Sequence, residues 1–305
     1  MGNVRDSIHK PVLLHEIVEA FRLEDGLWYL DGTVGGGGHA LAIAEAYRGR
    51  LKIVGLDRDQ NAIELAGKIL EGKAEKIILV NEDFRHLDMV LDRHGIKAVD
   101  LILFDLGISS DELESSGKGF SFQKDEPLFM TYGQPEEYPF TAGDIVNRFE
   151  ESVIADIIFG YGEERYGRRI AKAIVSRRQK KPIETSGELA EIVKLAVPAS
   201  YRYGKIHPAT RTFQALRIAV NGELEALKEG LKKGYERLNR GGRLAVISFH
   251  SLEDRIVKHF FKEQSDHGGR LLTKKPVRPQ AAEIEQNPRS RSAKLRIIQK
   301  GNNTE

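Results

Sequence analysis

Cysteine is absent from all 305 residues of the sequence. Its absence excludes disulfide bonds, thiolate metal sites and catalysis by a cysteine nucleophile. Chemistry at carbon 5 of a pyrimidine normally begins with thiolate attack on the ring. Any reaction of this chain on a pyrimidine must therefore avoid a covalent cysteine step.

Long apolar runs are also absent, and none is long enough to span a bilayer. The first residues, MGNVRDSIHKPVLLHE, lack the apolar core of a signal peptide, so we expect a cytoplasmic protein with no membrane partner. The charge is nearly balanced, with 47 basic and 45 acidic residues. This balance does not by itself indicate nucleic acid, and any basic surface must be local. His15 and Glu16 lack the second histidine of a zinc motif, and we expect no metal site.

Residues 27–47, LWYLDGTVGGGGHALAIAEAY, join a short apolar run to a block of glycines and a helical pattern. The glycines let backbone N–H groups approach a ligand closely and adopt positive φ. A helix starting near His39 would present its unpaired N–H groups and positive dipole end there. The pattern predicts a nucleotide-like ligand at the glycine block, and a tight crossover without a ligand is the alternative. The block consists of Gly35, Gly36, Gly37 and Gly38.

Three acids close three successive apolar runs: Asp31, Asp57 and Asp105. Ligands of open α/β sheets bind outside the carboxyl ends of the strands, so we expect these acids to converge on one crevice. Asp57 follows the glycines at the distance typical of a group that holds a ribose diol. Asp31 would repel a pyrophosphate but would pair with an ammonium group. The pattern therefore favours S-adenosylmethionine over a dinucleotide.

Strands and helices alternate up to about residue 110, which predicts an α/β, Rossmann-like domain with a parallel sheet. From Asp111 the period is lost, and we expect an ordered loop with exposed Phe120 and Phe122, followed by helices. Strand-like alternation returns only near residue 243. We predict a sheet domain formed by residues 1–110 and 208–305, interrupted by a helical domain at residues 111–207.

One predicted helix of the insertion is strongly basic, and only Glu163 and Glu164 oppose its charge. A solvated face is the ordinary interpretation of such a run, and contact with a phosphate backbone is the functional one. The basic residues are Arg165, Arg168, Arg169, Lys172, Arg177, Arg178, Lys180 and Lys181.

Several long motifs resemble the MraW/RsmH methyltransferase family, and they follow the family order along the chain. They are HKPVLLHE, DGTVGGGGH, GLDRD, FDLGISS, YGEER, HPATRTFQALRIAVN, GGRLAVISFHSLEDRIVK and NPRSRSAKLR. The resemblance implies a class I methyltransferase fold with an inserted helical substrate-recognition domain. It also implies transfer of a methyl group from S-adenosylmethionine to the exocyclic N4 of a cytidine in the decoding region of bacterial 16S rRNA. The expected partner is the small ribosomal subunit or its rRNA; the oligomeric state stays open, a homodimer being one alternative.

The resemblance also implies the residues of the site. The expected cofactor contacts are Gly37, Gly38, His39, Asp57, Phe84, Asp105 and Glu112, to which the residues themselves add Asp31, Gly35 and Gly36. Phe84 would cover an adenine, or else pack in the core. Asp105 is the expected catalytic residue, accepting a hydrogen bond from the target amine, and the Leu106 carbonyl is a second acceptor.

Further residues are expected on the substrate side. Phe120 or Phe122 would stack on an extruded base, or else pack against the inserted domain. The expected polar contacts to the substrate are Arg211, Gln214, Arg217, His250 and Asp254.

The chain departs from the family pattern at three places. Glu112 stands in SSDEL where SSPQL is common, and Lys118 replaces an arginine before GFSF. Phe129 and Thr131, in PLFMTYG, replace an Asp and an Arg of PLDMRM. These changes would alter RNA contacts or specificity.

Two function classes besides the methyltransferase stay open. A catalytically silent RNA-binding or assembly factor would keep the fold. An NAD-dependent oxidoreductase would use Gly35, Gly37 and Ala40 as a loose dinucleotide motif, although Asp31 argues against it. A serine hydrolase is disfavoured because no G-x-S-x-G elbow surrounds any serine.

Overall fold

The computed structural model describes residues 11–21, 27–108, 116–204 and 206–301. Contacts divide the chain into two units. The sheet unit takes the described residues within Met1–Gly107 and Leu224–Glu305, and the helical unit takes those within Ile108–Glu223. The second boundary lies after Glu223 rather than after residue 207, because the helix that begins at Thr210 packs against helices of the insertion.

Seven strands within the described residues form one sheet in the order β3-β2-β1-β4-β5-β7-β6. Strands β1 to β5 pair in parallel, and β7 runs antiparallel to both β5 and β6. The α/β prediction with a parallel sheet is confirmed. The strands are β1 (Leu27–Asp31), β2 (Leu51–Asp57), β3 (Lys76–Asn81), β4 (Val99–Asp105), β5 (Leu238–Ser248), β6 (Arg270–Leu271) and β7 (Lys294–Gln299).

The two faces of the sheet pack into two separate apolar clusters, because successive side chains of a strand point to opposite faces. Tyr29 and Leu103 lie in one cluster, while their neighbours Leu30 and Phe104 lie in the other. The strands are therefore apolar on both faces, as expected of a parallel sheet covered by helices. The helices of this unit are α1 (Leu14–Ala20), α2 (Gly38–Ala46), α3 (Gln60–Leu70), α4 (Leu87–Arg93), α11 (Glu223–Glu236), α12 (Ser251–Asp266) and α13 (Ala281–Gln286).

The helical unit has its own apolar core, built from helix faces together with loop residues such as Phe120, Leu128 and Met130. Its helices are α5 (Ala142–Arg148), α6 (Glu151–Gly162), α7 (Gly167–Arg178), α8 (Ser186–Ala196), α9 (Ala199–Arg202) and α10 (Thr210–Asn221). Gly162 allows α6 and α10 to approach closely, since a Cβ on it would lie 2.5 Å from the carbonyl oxygen of Arg211. Helix α10 ends at Asn221 because Gly222 adopts a φ of 58°.

Two sequence expectations differ from the structure. Strand β5 begins at Leu238, ahead of the expected start near residue 243, because the chain is already paired with β4 there. Phe120 was expected to be exposed and is only 6% exposed, because its ring lies in the core of the helical unit. None of the described helices has the length and apolar character needed to span a membrane.

Candidate functional site

The glycine block forms the turn between β1 and α2. Gly35 and Gly37 have φ of 49° and 85°, in the left-handed region that favours glycine. Gly37 directly precedes α2, and a Cβ on it would lie 3.3 Å from the Cα of Ala66. Glycine is therefore required in this turn, both for the backbone conformation and for close packing on α3. Its consequence for chemistry is that backbone N–H groups at the start of α2 remain available to a ligand.

Asp57 ends β2 and holds the glycine turn. Its Oδ2 accepts a hydrogen bond from the Gly35 N–H at 2.8 Å, and its Oδ1 accepts one from the Asp59 N–H at 2.9 Å. Burial raises the pKa of Asp57, although these two backbone bonds oppose the rise. The carboxylate thus fixes the turn and still has lone pairs for the hydroxyls of a ribose.

Asp31 ends β1 and is 1% exposed. It accepts hydrogen bonds from the Tyr29 hydroxyl at 2.7 Å and from the Thr33 N–H at 3.2 Å. Burial nevertheless raises the pKa of Asp31 to about 7, and repulsion from Asp57 adds to the rise, while the hydrogen bonds from Tyr29 and Thr33 oppose it. A buried acid of this kind favours a positively charged ligand.

Asp105 ends β4 and has a buried carboxylate oxygen that the described residues leave unsatisfied. Its Oδ1 is buried with no hydrogen-bond partner among the described residues. Burial raises the pKa of Asp105 well above its ordinary value, and repulsion from Asp31 and Glu253 raises it further. These mutual effects are consistent with the predicted convergence of the strand-end acids.

His39 stands in the first turn of α2 and is buried. Its Nε2 lies 3.0 Å from the carbonyl oxygen of Val12, and its Nδ1 lies 3.6 Å from Asp105 Oδ2. Since a carbonyl can only accept, the contact with Val12 assigns the proton to Nε2. His39 therefore lies next to the acid at the end of β4.

Two further predicted cofactor contacts have different outcomes. The ring of Phe84 packs at 4.9 Å from that of Phe104 and belongs to an apolar cluster of the sheet unit. This is the core packing given as the alternative for Phe84, and an adenine contact stays a prediction. Glu112 lies outside the described residues.

The segment after β5 places His250 and Asp254 in structural roles. His250 caps α12 in a reciprocal arrangement in which Glu253 Oε2 accepts the Phe249 and His250 N–H groups. Asp254 binds Arg296 at 2.7 Å and Lys294 at 3.2 Å, both on β7. Burial alone would raise the pKa of Asp254, but these cations lower it below its ordinary value. Substrate contacts by His250 and Asp254 stay predictions.

In the helical unit, Arg217 forms a two-pronged ion pair with Glu223. Its Nε lies 2.8 Å from Oε1 and its Nη2 lies 2.9 Å from Oε2, and the two side chains are 15% and 11% exposed. Glu223 also accepts a hydrogen bond from the Tyr132 hydroxyl at 3.0 Å. The guanidinium predicted to contact substrate is thus engaged within the unit.

Gln214 binds the last turn of α6, and Arg211 binds the segment between α6 and α7. Arg211 donates to the Glu163 carbonyl oxygen at 3.2 Å, and Gln214 donates to the Tyr161 carbonyl oxygen at 3.1 Å. The motifs HPATRTFQALR and YGEER are therefore joined by side-chain to backbone bonds. Their direct contact with substrate stays a prediction.

The two aromatic residues expected to stack on a base both pack within the helical unit. Phe120 stacks on Tyr132 with ring centroids 5.5 Å apart. Phe122 stacks on His207 at 4.4 Å and meets Phe213 edge-on at 5.2 Å. Phe122 is the less buried of the two, so it is the better remaining choice for the predicted base contact.

The described positions that depart from the family pattern, Lys118, Phe129 and Thr131, lie in one loop that side-chain hydrogen bonds hold in place. Lys118 donates to the carbonyl oxygens of Tyr132 at 2.8 Å and Gly133 at 2.9 Å. Thr131 is fully buried, whereas Phe129 is 38% exposed. Thr131 thus replaces a charged residue at a position that is now interior, and Phe129 adds apolar surface.

Thr33 and Glu253 belong to the site, although the sequence did not identify them. The Thr33 hydroxyl oxygen accepts a hydrogen bond from the Asp105 N–H at 2.7 Å. The backbone N–H of Thr33 donates to the Asp31 carboxylate. Glu253 contributes repulsion to the raised pKa of Asp105. The position of Thr33 in DGTVGGGGH was the available signal, but its role depends on the pairing of β1 with β4.

The donor set of the sheet unit fits a nucleoside that carries positive charge. The unpartnered carboxylate oxygen of Asp105, the buried acid Asp31 and a glycine turn at a helix start could each serve a different part of such a ligand. A pyrophosphate would instead be repelled by the acids. The geometry therefore agrees with a methyl-donor site better than with a dinucleotide site.

Comparison with known proteins gives close relatives over almost the full chain. Two relatives are named ribosomal RNA small subunit methyltransferase H. The protein from Heliobacterium modesticaldum is 46% identical over 96% of this chain and 98% of its own length. The protein from Kosmotoga olearia is 46% identical over 96% of this chain and 97% of its own length. Among solved structures, a SAM-dependent O-methyltransferase from Thermotoga maritima matches at 10% identity with a TM-score of 0.44, covering 97% of this chain and 69% of that one. The model of the MraW methylase family matches residues 6–301. Because that match spans nearly the whole sequence, the chain belongs to the MraW methylase family.

Proposed function

We propose that this chain transfers a methyl group from S-adenosylmethionine to the exocyclic N4 of a cytidine in the decoding region of bacterial 16S rRNA. The proposal is supported by family membership and by relatives named for the small-subunit rRNA. One structural observation carries the chemistry: the buried Oδ1 of Asp105, which no described group satisfies. A substrate of this kind also places the activity in the bacterial cytoplasm.

S-adenosylmethionine supplies an electrophilic methyl group on a sulfonium. Asp31 would pair with its ammonium group, and Asp57 would hold the ribose hydroxyls. The backbone at Gly35 to Gly38 and the start of α2 would approach the ligand closely. Each assignment follows from the charge or the hydrogen-bonding capacity of the residue.

Asp105 activates the target amine in this proposal. The exocyclic amine of cytosine is a poor nucleophile because its lone pair is delocalised into the ring. Asp105 Oδ1 accepts an N4–H hydrogen bond, which draws the nitrogen toward tetrahedral geometry and aligns its lone pair. The Leu106 carbonyl is the proposed second acceptor.

The proton balance also favours Asp105. The nitrogen gains a bond to the methyl carbon as the carbon–sulfur bond breaks, and it must lose one proton. Once ionised, a carboxylate with a raised pKa is a stronger base than an ordinary aspartate and can take that proton. No covalent intermediate is needed, and the absence of cysteine removes the thiolate route to carbon 5. Direct displacement at nitrogen is therefore the mechanism that these residues support.

A catalytically silent RNA-binding or assembly factor is the second function that we retain, because Phe129 and Thr131 depart from the family pattern. Such a protein would bind rRNA without transferring a methyl group. An oxidoreductase is disfavoured by Asp31, a buried acid that offers a pyrophosphate no positive charge and repels it once ionised.

The test is methyl transfer from labelled S-adenosylmethionine to small ribosomal subunits that lack the modification, followed by nucleoside analysis. We expect label in N4-methylated cytidine. Naked 16S rRNA and mature modified subunits are run in parallel, so that the preferred substrate is identified. Cofactor binding without transfer to any of these substrates would contradict the proposal and favour the silent binding protein.

A further inference from the structure

Helix α7 presents a strongly basic outer surface. Ile170, Ala171 and Ile174 face the core of the helical unit. Three cations on the other side, Arg168, Arg169 and Lys172, are exposed. Among the described residues, none of these three cations has an ion-pair partner. Helix α7 itself contains no acidic residue.

The remaining cations of this region divide by role. Arg178 donates to the Val146 carbonyl oxygen at 3.0 Å, and Arg177 lies 3.6 Å from Glu188. Lys181 pairs with Glu184 at 3.4 Å and with Glu188 at 3.5 Å. The C-terminal cations therefore stabilise the unit, whereas the N-terminal turns of α7 keep uncompensated charge.

The turn that leads into α7 is rigidly held. Glu164 is fully buried and accepts hydrogen bonds from the Tyr201 hydroxyl at 2.6 Å and the Tyr166 N–H at 2.9 Å. Glu163 adopts φ of 49°, a conformation that is unfavourable for a residue with a side chain. The bonds from Arg211 and Gln214 described above hold the same turn. Such a strained and over-determined segment is typical of a functional surface.

Arg165 is an exposed residue of that turn. Its guanidinium lies 4.8 Å from the ring centroid of Tyr166 and 5.3 Å from that of Tyr201. Contact with two rings restricts the side chain while leaving it exposed, so less entropy is lost when it binds an anion. Its neighbour Glu163 is an exposed acid of the same turn. The negative charge of Glu163 opposes the positive charge of this surface.

An exposed aromatic residue borders the same surface. Phe159 on α6 is 66% exposed, and its backbone nitrogen lies 3.3 Å from the position that a Cβ on Gly167 would take. It therefore stands beside the first turn of α7. Cations that follow a backbone, together with an aromatic platform for unpaired bases, are the usual means of binding single-stranded nucleic acid.

We infer that Arg165, Arg168, Arg169 and Lys172, bordered by Phe159, form a docking surface for the RNA phosphodiester backbone. This inference rests on the proposed function for its partner, because rRNA is the polyanion that the enzyme would meet. The surface supplies affinity and positions the substrate, and it takes no part in the methyl-transfer chemistry.

The test compares two triple variants of equal charge change. Arg168→Gln, Arg169→Gln and Lys172→Gln remove three charges from the surface. Lys228→Gln, Lys232→Gln and Lys258→Gln remove three from exposed positions of the sheet unit. Affinity for small subunits and for a single-stranded 16S rRNA fragment is measured across a salt series, together with KM, kcat and cofactor affinity.

We expect the surface variant to lower the salt slope by about 2, since each phosphate contact to a single strand contributes about 0.7. KM for subunits should rise at least about tenfold, with kcat and cofactor affinity unchanged. Salt slopes and KM values that are equal in the two triple variants would overturn the inference. If wild-type protein binds rRNA with this salt dependence but transfers no methyl group, the proposed function fails while the docking surface stands.

Phe159→Ala tests the aromatic part of the surface. We expect affinity for the single-stranded fragment to fall several-fold, as for loss of one base stack, with duplex binding unchanged. Equal affinities of wild type and variant for the single-stranded fragment would show that Phe159 does not contribute to RNA binding.

Discussion

The two units satisfy their polar side chains in opposite ways. In the sheet unit, Asp31 and Asp105 are buried and have raised pKa values, and neither pairs with a Lys or Arg among the described residues. In the helical unit, Arg217 closes on Glu223 with two short bonds. The difference separates two kinds of motif residue. Those whose polar atoms lack a partner within the protein are candidates for binding a ligand, whereas those with internal partners stabilise the fold.

The largest effect is expected where the sheet unit is least satisfied. Asp105→Ala removes the proposed acceptor for the target amine, so methyl transfer should fall by about 10²–10³-fold. Cofactor affinity should change much less, since Asp31 and Asp57 remain. Single-turnover kinetics of this variant measure the rate of methyl transfer, and a cofactor titration measures its affinity for S-adenosylmethionine. Equal losses in both would assign Asp105 to the cofactor instead of the substrate.

The matching change in the helical unit should act on stability. Arg217→Ala leaves Glu223 without its cation, which costs about 3 kcal/mol of unfolding free energy in a largely buried pair. Urea unfolding measures this loss, and Arg217→Lys should recover part of it. A fully stable Arg217→Ala protein with impaired transfer would show that the guanidinium serves the substrate.

The raised pKa of Asp31 predicts an unusual pH dependence. Between the unfolded value of 3.8 and the folded value of about 7, the folded protein holds the extra proton, so stability from this group falls as pH rises. From pH 5 to pH 7 the loss is about 2 kcal/mol without cofactor. Unfolding of wild type and Asp31→Asn across this range isolates the effect, and parallel curves would contradict it.

A smaller effect is expected at the glycine turn. Gly37→Ala places a Cβ at positive φ and 3.3 Å from Ala66, so stability should fall by about 1 kcal/mol. Cofactor affinity should fall as well, because the start of α2 must shift. Gly72→Ala is the matched control, since its φ is also positive and a Cβ there meets nothing within 4 Å. Equal cofactor affinity in both variants would separate the turn from the ligand.

The sequence predicted the sheet unit better than the helical unit, for a physical reason. Strand ends fix where side chains such as Asp31, Asp57 and Asp105 lie, because all parallel strands open at the same edge. The family resemblance, the α/β fold and S-adenosylmethionine as cofactor are accordingly confirmed. The N4-cytidine specificity and the contacts of single residues with cofactor and substrate stay predictions.

Helical periodicity fixes which face is buried but not which polar groups meet. Arg211 and Gln214 were expected to face substrate, yet their partners are backbone carbonyls about 50 positions away in sequence. Phe120 was expected to be exposed because its loop lacks a period, and only the tertiary fold places Tyr132 against it. Contacts of this kind depend on helix packing, which the pattern of a single helix does not contain.

The most direct test of the central claim is a proton count on cofactor binding. Calorimetric titration with S-adenosylmethionine at pH 6.5, in two buffers of different ionisation enthalpy, measures protons released. A cationic ligand should ionise Asp31, releasing about three quarters of a proton from this group alone. Asp31→Asn should lose that release. Cofactor binding by the wild type with no proton release would show that its buried acids are already ionised, and would contradict the account.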